Sequence, residues 1–185
     1  MSSQHSGRHL PRDFTLCSVA GEAGTLPAQR FTLLHGQMLA YWERKRGPDR
    51  APRRARVDPA DFPRVLPHLM MWAPEAGGDY LCRLCGSDVE EKFGMSLHGV
   101  RLMSIPCSLI GETRAEFDAA RTRFEPVFVE RTMAWAQLPT MFYRHLLLPL
   151  LGRGEEVERL LSVLTFHRLD EPSSFHRPDG PPSWP

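Results

Sequence analysis

Tyr80-Leu-Cys-Arg-Leu-Cys-Gly86, followed by Ser87-Asp-Val-Glu-Glu-Lys-Phe-Gly94, changes its hydrophobic period at the first glycine. Before Gly86 the residues suit a strand; after it, a polar run ending in Phe93 suits one short helix, with Ser87 as its cap. A strand that turns straight into a helix is therefore predicted. Leu69-Met-Met-Trp-Ala73 lies just upstream, ends at Pro74, and is joined to Tyr80 through Gly77-Gly78, the pattern of an antiparallel hairpin. Downstream, Phe117, Ala120, Arg121 and Phe124 share one face of a helix over Glu112–Phe124. Three further strands are predicted at Val127–Trp135, Phe142–Leu148 and Arg159–Phe166, separated by Leu138-Pro139-Thr140 and Gly152-Arg-Gly154.

Upstream of the hairpin, Phe31, Leu34, Met38 and Tyr41 recur at helical spacing, with Leu33 and Trp42 widening the stripe, and Gly47-Pro48 stops the pattern. This predicts a helix over Pro27–Arg46. The chain then divides into a flexible N-terminal arm over 1–26, one domain over 27–169 that includes this helix, and a disordered Pro-rich tail over 170–185. On the last strand Leu161 and Val163 point away from Leu160, Leu164 and Phe166, so both faces of the sheet need cover. The amphipathic helix is the natural cover, either from the same chain or from a second subunit.

Tyr41-Trp42, Asp58-Pro59, Leu66-Pro67, Arg83-Leu-Cys-Gly86, Phe93-Gly94, Gly99 and Leu148-Pro149-Leu150 follow one another in a characteristic order. In that order and spacing, over Tyr41–Phe166, the chain resembles a family of bacterial stand-alone PAS sensor domains. The resemblance implies an α+β fold: a five-stranded antiparallel sheet, short helices across one face, and a cavity between the two layers. It supplies no catalytic residue. The expected role is a non-enzymatic PAS sensory or signalling module that acts through protein–protein interaction, with or without a small-molecule ligand. A cofactor-bearing or thiol-based redox sensor is the alternative reading, and an enzyme of unknown reaction the third.

The 185 residues carry 23 basic and 22 acidic side chains, a net charge of +1, so the molecule as a whole has no attraction for nucleic acid or an anionic membrane. Its concentrated charge, Arg44-Lys-Arg46, Arg50, Arg53-Arg54 and Arg56, has no aromatic residue interleaved between Gly47 and Val57; a solvated connector is expected rather than a nucleic-acid arm. No apolar run reaches the roughly 18 residues of a membrane helix or forms a signal-peptide core, which points to a cytoplasmic protein.

Cys82-x-x-Cys85 has the spacing of half a metal site, but on a regular strand side chains at i and i+3 lie on opposite faces. The two sulfurs are thus expected to diverge and to serve packing, and no metal ligand is assigned. Neither haem nor flavin is expected, because the Glu112–Phe124 helix lacks a histidine and Cys82-Arg83 lacks the asparagine of the photoactive flavin motif. His68, His98, His145, His167 and His176 are scattered, and Ser104, Ser108 and Ser162 lack nucleophile surroundings. Arg83 is the candidate ligand-binding residue: on a cavity-facing strand face it would pair with an acidic group, whereas an outward face would leave it exposed. Leu34, Met38, Tyr41 and Trp42 are the candidate interface of a homodimer. An unidentified signalling protein is the other expected partner.

Overall fold

The computed structural model describes residues 15–19, 32–105, 110–134 and 141–168, the side chains of 15–19 and 132–134 excepted. A hairpin of β2 (Leu69–Pro74) and β3 (Tyr80–Cys85) is followed by α2 (Ser87–Phe93) and α3 (Ile110–Arg123), then by β4 (Val127–Ala134), β5 (Met141–Leu151) and β6 (Val157–Arg168). These five strands form the expected antiparallel PAS-like sheet in the order β4-β5-β6-β2-β3. A sixth strand, β1 (Thr15–Val19), pairs with β4 at the edge. That corrects the reading of 1–26 as arm for these five residues. Thr, Leu, Cys and Val suit extended backbone, and β4 offers them an open ladder. The remainder of that arm, and the 170–185 tail, lie outside the described residues.

The sheet has two buried faces. Tyr143, His145 and Leu147 of β5 share a face with Leu160, Ser162 and Leu164 of β6 and with Trp72, and α3 packs there. On the other face lie Leu146, Leu148, Leu161 and Val163, all fully or almost fully buried. The helix α1 (Leu33–Arg46) covers this outer side and belongs to the same chain. Thr32 caps it in a box in which His35 takes the place of the usual glutamate: the Thr32 hydroxyl accepts from the His35 amide, and His35 Nδ1 accepts from the Thr32 amide at 3.3 Å. Arg44, Lys45 and Arg46 in the last turn complement its dipole. Residues 27–31 of the predicted helix lie outside the described residues.

Positions that look unremarkable one by one in the sequence turn out to touch each other. Trp42 donates its indole N–H to the Pro149 carbonyl at 2.8 Å. The Tyr41 hydroxyl donates to Asp61 at 2.9 Å and accepts from the Asp58 amide at 3.1 Å, which ties α1 to the Asp58-Pro59 turn. Strand β5 runs through Pro149 to Leu151, further than the predicted Leu148, because β4 has ended by then at Val127↔Leu147. The missing proline N–H therefore removes no ladder bond. Gly86 is the third such contact. Its amide bonds Leu69 O at 2.8 Å, and a β-carbon there would fall well inside the carbonyl oxygens of Leu66 and Pro67. Only glycine lets β3 end against that turn and α2 begin at once; Gly86 itself, rather than Ser87, is the N-cap of α2.

The helix settles the expected homodimer interface. Met38, Tyr41 and Trp42 are buried against their own sheet and Leu34 is half-buried, so this stripe is core in cis and unavailable to a second subunit. Met38→Glu places an unpaired carboxylate in that layer and is expected to cost several kcal/mol, giving loss of the folded circular dichroism signal instead of a folded monomer. A folded Met38→Glu protein with near-native thermal stability would overturn the cis packing. Gly86→Ala is expected to lower stability by at least about 2 kcal/mol in urea unfolding, since the obstacle is backbone and cannot rotate away.

Candidate functional site

Between the inner sheet face and the helical layer lies a half-open cavity of about 60 Å³. Trp72, Tyr143, His145 and Leu164 line it from the strands; Phe93, Leu97, Ile110, Thr113 and Phe117 close it from the helices and the segment between them. Strand alternation carries the first group to one face, and α3 presents Phe117 at its centre, where the ring meets Trp72 edge-on at 5.4 Å. The Gly94 cap, in left-handed conformation at φ 68°, ends α2 and sends the chain over the cavity.

This core is not wholly apolar. Arg131, 1% exposed, faces inward from β4, ion-pairs with Glu116 of α3 and donates to Thr113 Oγ1 at 2.8 Å. Burial raises the Glu116 carboxyl above its ordinary range, with the Arg131 charge working against that shift. His145 is buried and hydrogen-bonded to Ser162 Oγ; burial first, then the Arg131 charge, holds its pKa down to about 3. Two donors in this region, Trp72 Nε1 and Arg131 Nε, are buried with no hydrogen-bond partner. A buried N–H left unmade costs about 1–3 kcal/mol, and of these two residues Trp72 lines the cavity while Arg131 lies behind its wall at Thr113. Tyr80 completes the layer by donating to Asp118 at 2.6 Å; burial raises its pKa.

On the opposite face, His35 Nε2 bonds the Val163 carbonyl at 3.3 Å, and its ring meets Phe128 edge-on. Burial lowers its pKa to about 4, an effect the Val163 bond partly offsets.

The sequence-predicted residues fall elsewhere. Arg83 is exposed and does not line the cavity, so it does not present its guanidinium to a ligand there. The reason is a β-bulge. Trp72 pairs with Cys82 but Met71 with Leu84, so Arg83 is the extra residue and both Arg83 and Leu84 face out. The same bulge overturns the divergence expected for Cys82 and Cys85: it resets the alternation and both thiols come to the same side, where the Cys82 thiol donates to the Leu84 carbonyl at 3.2 Å. Strand alternation could have found Arg131, which shares its face with Val127 and Val129; nothing in the sequence marks the bulge.

The basic run is spent on structure. Lys45 pairs with Asp61 at 3.0 Å, Arg53 with Glu155 at 2.8 Å and Arg56 with Asp49 at 3.2 Å, while Arg50 lies 3.8 Å above the Phe124 ring. A surface groove of about 400 Å³ beside Arg53 and Arg54 is larger than the inner cavity, but its arginine Arg53 is already engaged by the 152–155 loop. Among the described residues no cluster of three or more His, Cys, Asp or Glu could hold a metal ion.

A family model described as PAS domain matches residues 33–165, from the first turn of α1 nearly to the end of β6. The chain belongs to the PAS domain family. No curated protein and no solved structure matches it. Membership makes a sensory or signalling module of this fold, and among the described residues no helix of this PAS domain is long and apolar enough to cross a membrane.

The two buried histidines give the domain an acid sensitivity of definite sign. The unfolded chain takes up protons near the ordinary histidine value of about 6.5, whereas folded His35 and His145 stay neutral down to about 4 and about 3. Their contribution is complete above about pH 6.5 and is lost as pH falls, by up to about 1.4 kcal/mol per pH unit for each. Urea unfolding between pH 6.5 and 5 should show this decline, and His145→Gln should halve the slope. A flat profile would mean that these rings are solvated in solution.

Proposed function

We propose that this PAS domain is a non-catalytic sensor that takes a small acceptor-bearing ligand in the inner cavity and passes the resulting change to a protein partner. The observation that carries this reading is the unpartnered indole N–H of Trp72, a residue that lines the half-open cavity, with a second unpartnered donor, Arg131 Nε, on the side chain that bonds the lining residue Thr113. A carbonyl or carboxylate oxygen would satisfy either donor, and the Arg131–Glu116 pair would then stand beside a polar ligand rather than a void.

Size limits the ligand. Sites for drug-sized molecules run from about 300 Å³, several times the volume here, so only a few non-hydrogen atoms fit the cavity as it stands. A larger ligand must displace the cover, and the cover consists of short elements: the seven residues of α2 and the turn at Leu102–Ser104. Such elements move more cheaply than the sheet. Their displacement is the form the signal takes in this reading, met by a signalling protein or a second copy of the chain at a surface other than the α1 stripe. Haem and flavin are far too large for the present void.

Native mass spectrometry of the purified protein, with its visible spectrum, tests the reading. The expected result is a small added mass or, for stripped protein, a rise in melting temperature with short carboxylates or carbonyl compounds, and no visible chromophore. Trp72→Phe keeps most of the packing while removing one donor; it should fold with stability within about 1 kcal/mol of wild type and weaken the ligand-induced rise. A stoichiometric chromophore, or full ligand response in Trp72→Phe and Arg131→Met alike, would overturn it.

A further inference from the structure

The bulged end of β3 holds a second chemistry, separate from the cavity. We propose that Cys82 and Cys85 are a reversible dithiol–disulfide pair, oxidised by hydroperoxides and reduced by thiols. Three observations support it. The bulge places the two cysteine side chains on one side of the strand, where a regular strand would part them. Both are free thiols, Cys82 buried and Cys85 half-buried, so one is withheld from solvent while the other can be reached. Among the described residues no third His, Cys, Asp or Glu groups with them as a metal site would require.

Their surroundings divide the labour. The neighbouring Cys82 thiol, assisted by the Leu97 backbone, holds the Cys85 pKa below the ordinary thiol value against the opposing effects of burial and Glu90. Cys82 is pushed up instead by the neighbouring Cys85 and by burial, its thiol donating to the Leu84 carbonyl at 3.2 Å. Cys85 is thus the attacking thiolate and Cys82 the resolving thiol. In the first step the Cys85 sulfur attacks a hydroperoxide oxygen; the S–O bond forms as the O–O bond breaks, and the departing oxygen takes a proton to leave as water or an alcohol. In the second, Cys82 gives up its proton and attacks the sulfenyl sulfur; the S–S bond forms, the S–O bond breaks, and hydroxide leaves with that proton as water. Two electrons pass from the thiol pair to the hydroperoxide, and thiol–disulfide exchange with a dithiol reverses the step.

Closure has a structural consequence. It removes the Cys82 bond to Leu84 O, while Gly86 is held by the Leu66–Pro67 turn and cannot yield. The adjustment therefore falls on the segment that Cys85 touches, around Leu97, which also covers the cavity.

Reduced full-length protein should be treated with hydrogen peroxide, then examined by intact mass, thiol titration and peptide mapping. Expected are a mass lower by two hydrogens, loss of two titratable thiols, a map that joins Cys82 to Cys85, and full reversal by dithiothreitol. The Cys82→Ser variant should stop at a sulfenic acid that dimedone traps on Cys85; Cys85→Ser should leave Cys82 a thiol; the Cys17→Ser/Cys107→Ser variant should behave as wild type. Should a Cys82 variant fail to fold, the wild-type map and the Cys17/Cys107 variant still decide the matter. A map joining either cysteine to Cys17 or Cys107, or Cys82 and Cys85 still reduced when the other thiols have oxidised, would overturn the proposal.

Discussion

Strands β5 and β6 are apolar on both faces, and the rest of the molecule is arranged around that constraint. From Leu146 to Leu151 and from Leu160 to Leu164 every side chain is buried, whichever way it points. A sheet of this kind cannot leave one side to water, since each exposed leucine would forfeit about 1.5–3 kcal/mol of burial. The two sides are covered by unlike means. One continuous helix, fixed by Trp42 to Pro149 and by His35 to Val163, closes the outer face. Several short pieces close the inner one, and short pieces leave gaps.

The polar groups of the core follow this division. On the outer side the polar atoms of Trp42, Tyr41 and His35 are each spent on a fixed backbone or side-chain partner, and the unmet donor there, Arg46 Nε, sits at the last turn of α1. On the inner side Arg131 and Trp72 retain unmet donors beside the cavity. Natural cores rarely tolerate such groups without a role or a bridging molecule.

Much of this was legible in the sequence because it rests on period and punctuation. The hairpin, the three long strands, α3 and the two-sided last strand all follow from alternation, helical spacing and glycine or proline stops. What could not be read depends on register. The bulge opposite Met71 and Trp72 turned Arg83 outward and brought Cys82 and Cys85 together, and an extra residue in a strand leaves the local alternation looking regular. The α1 stripe was recognised, but an amphipathic face is the same whether its own sheet or another subunit covers it. The Trp42–Pro149 contact, 107 residues apart in sequence, settles that choice only in three dimensions. Strand β1 was missed for a related reason: its partner β4 lies more than a hundred residues away, and a five-residue edge strand carries too little pattern of its own.

The two faces also meet within a single dipeptide of β6. Ser162 points inward and bonds His145 at the cavity; Val163 points outward, and its carbonyl holds His35 of α1. Both rings must be neutral to stay buried, and each sits in the field of positive charge: Arg131 and His35 act on His145, while His167 and Arg144 act on His35. A proton on either ring therefore makes a proton on the other less favourable. A ligand acceptor drawn toward Arg131 would offset part of the positive field at His145, and any shift of the Val163 backbone that accompanied it would bear on the bond from its carbonyl to His35 of α1. The sheet is thus more than a wall between the cavity side and the helix-covered side: one strand carries adjacent hydrogen bonds to both, which gives the inner cavity a short physical route to the outer helix.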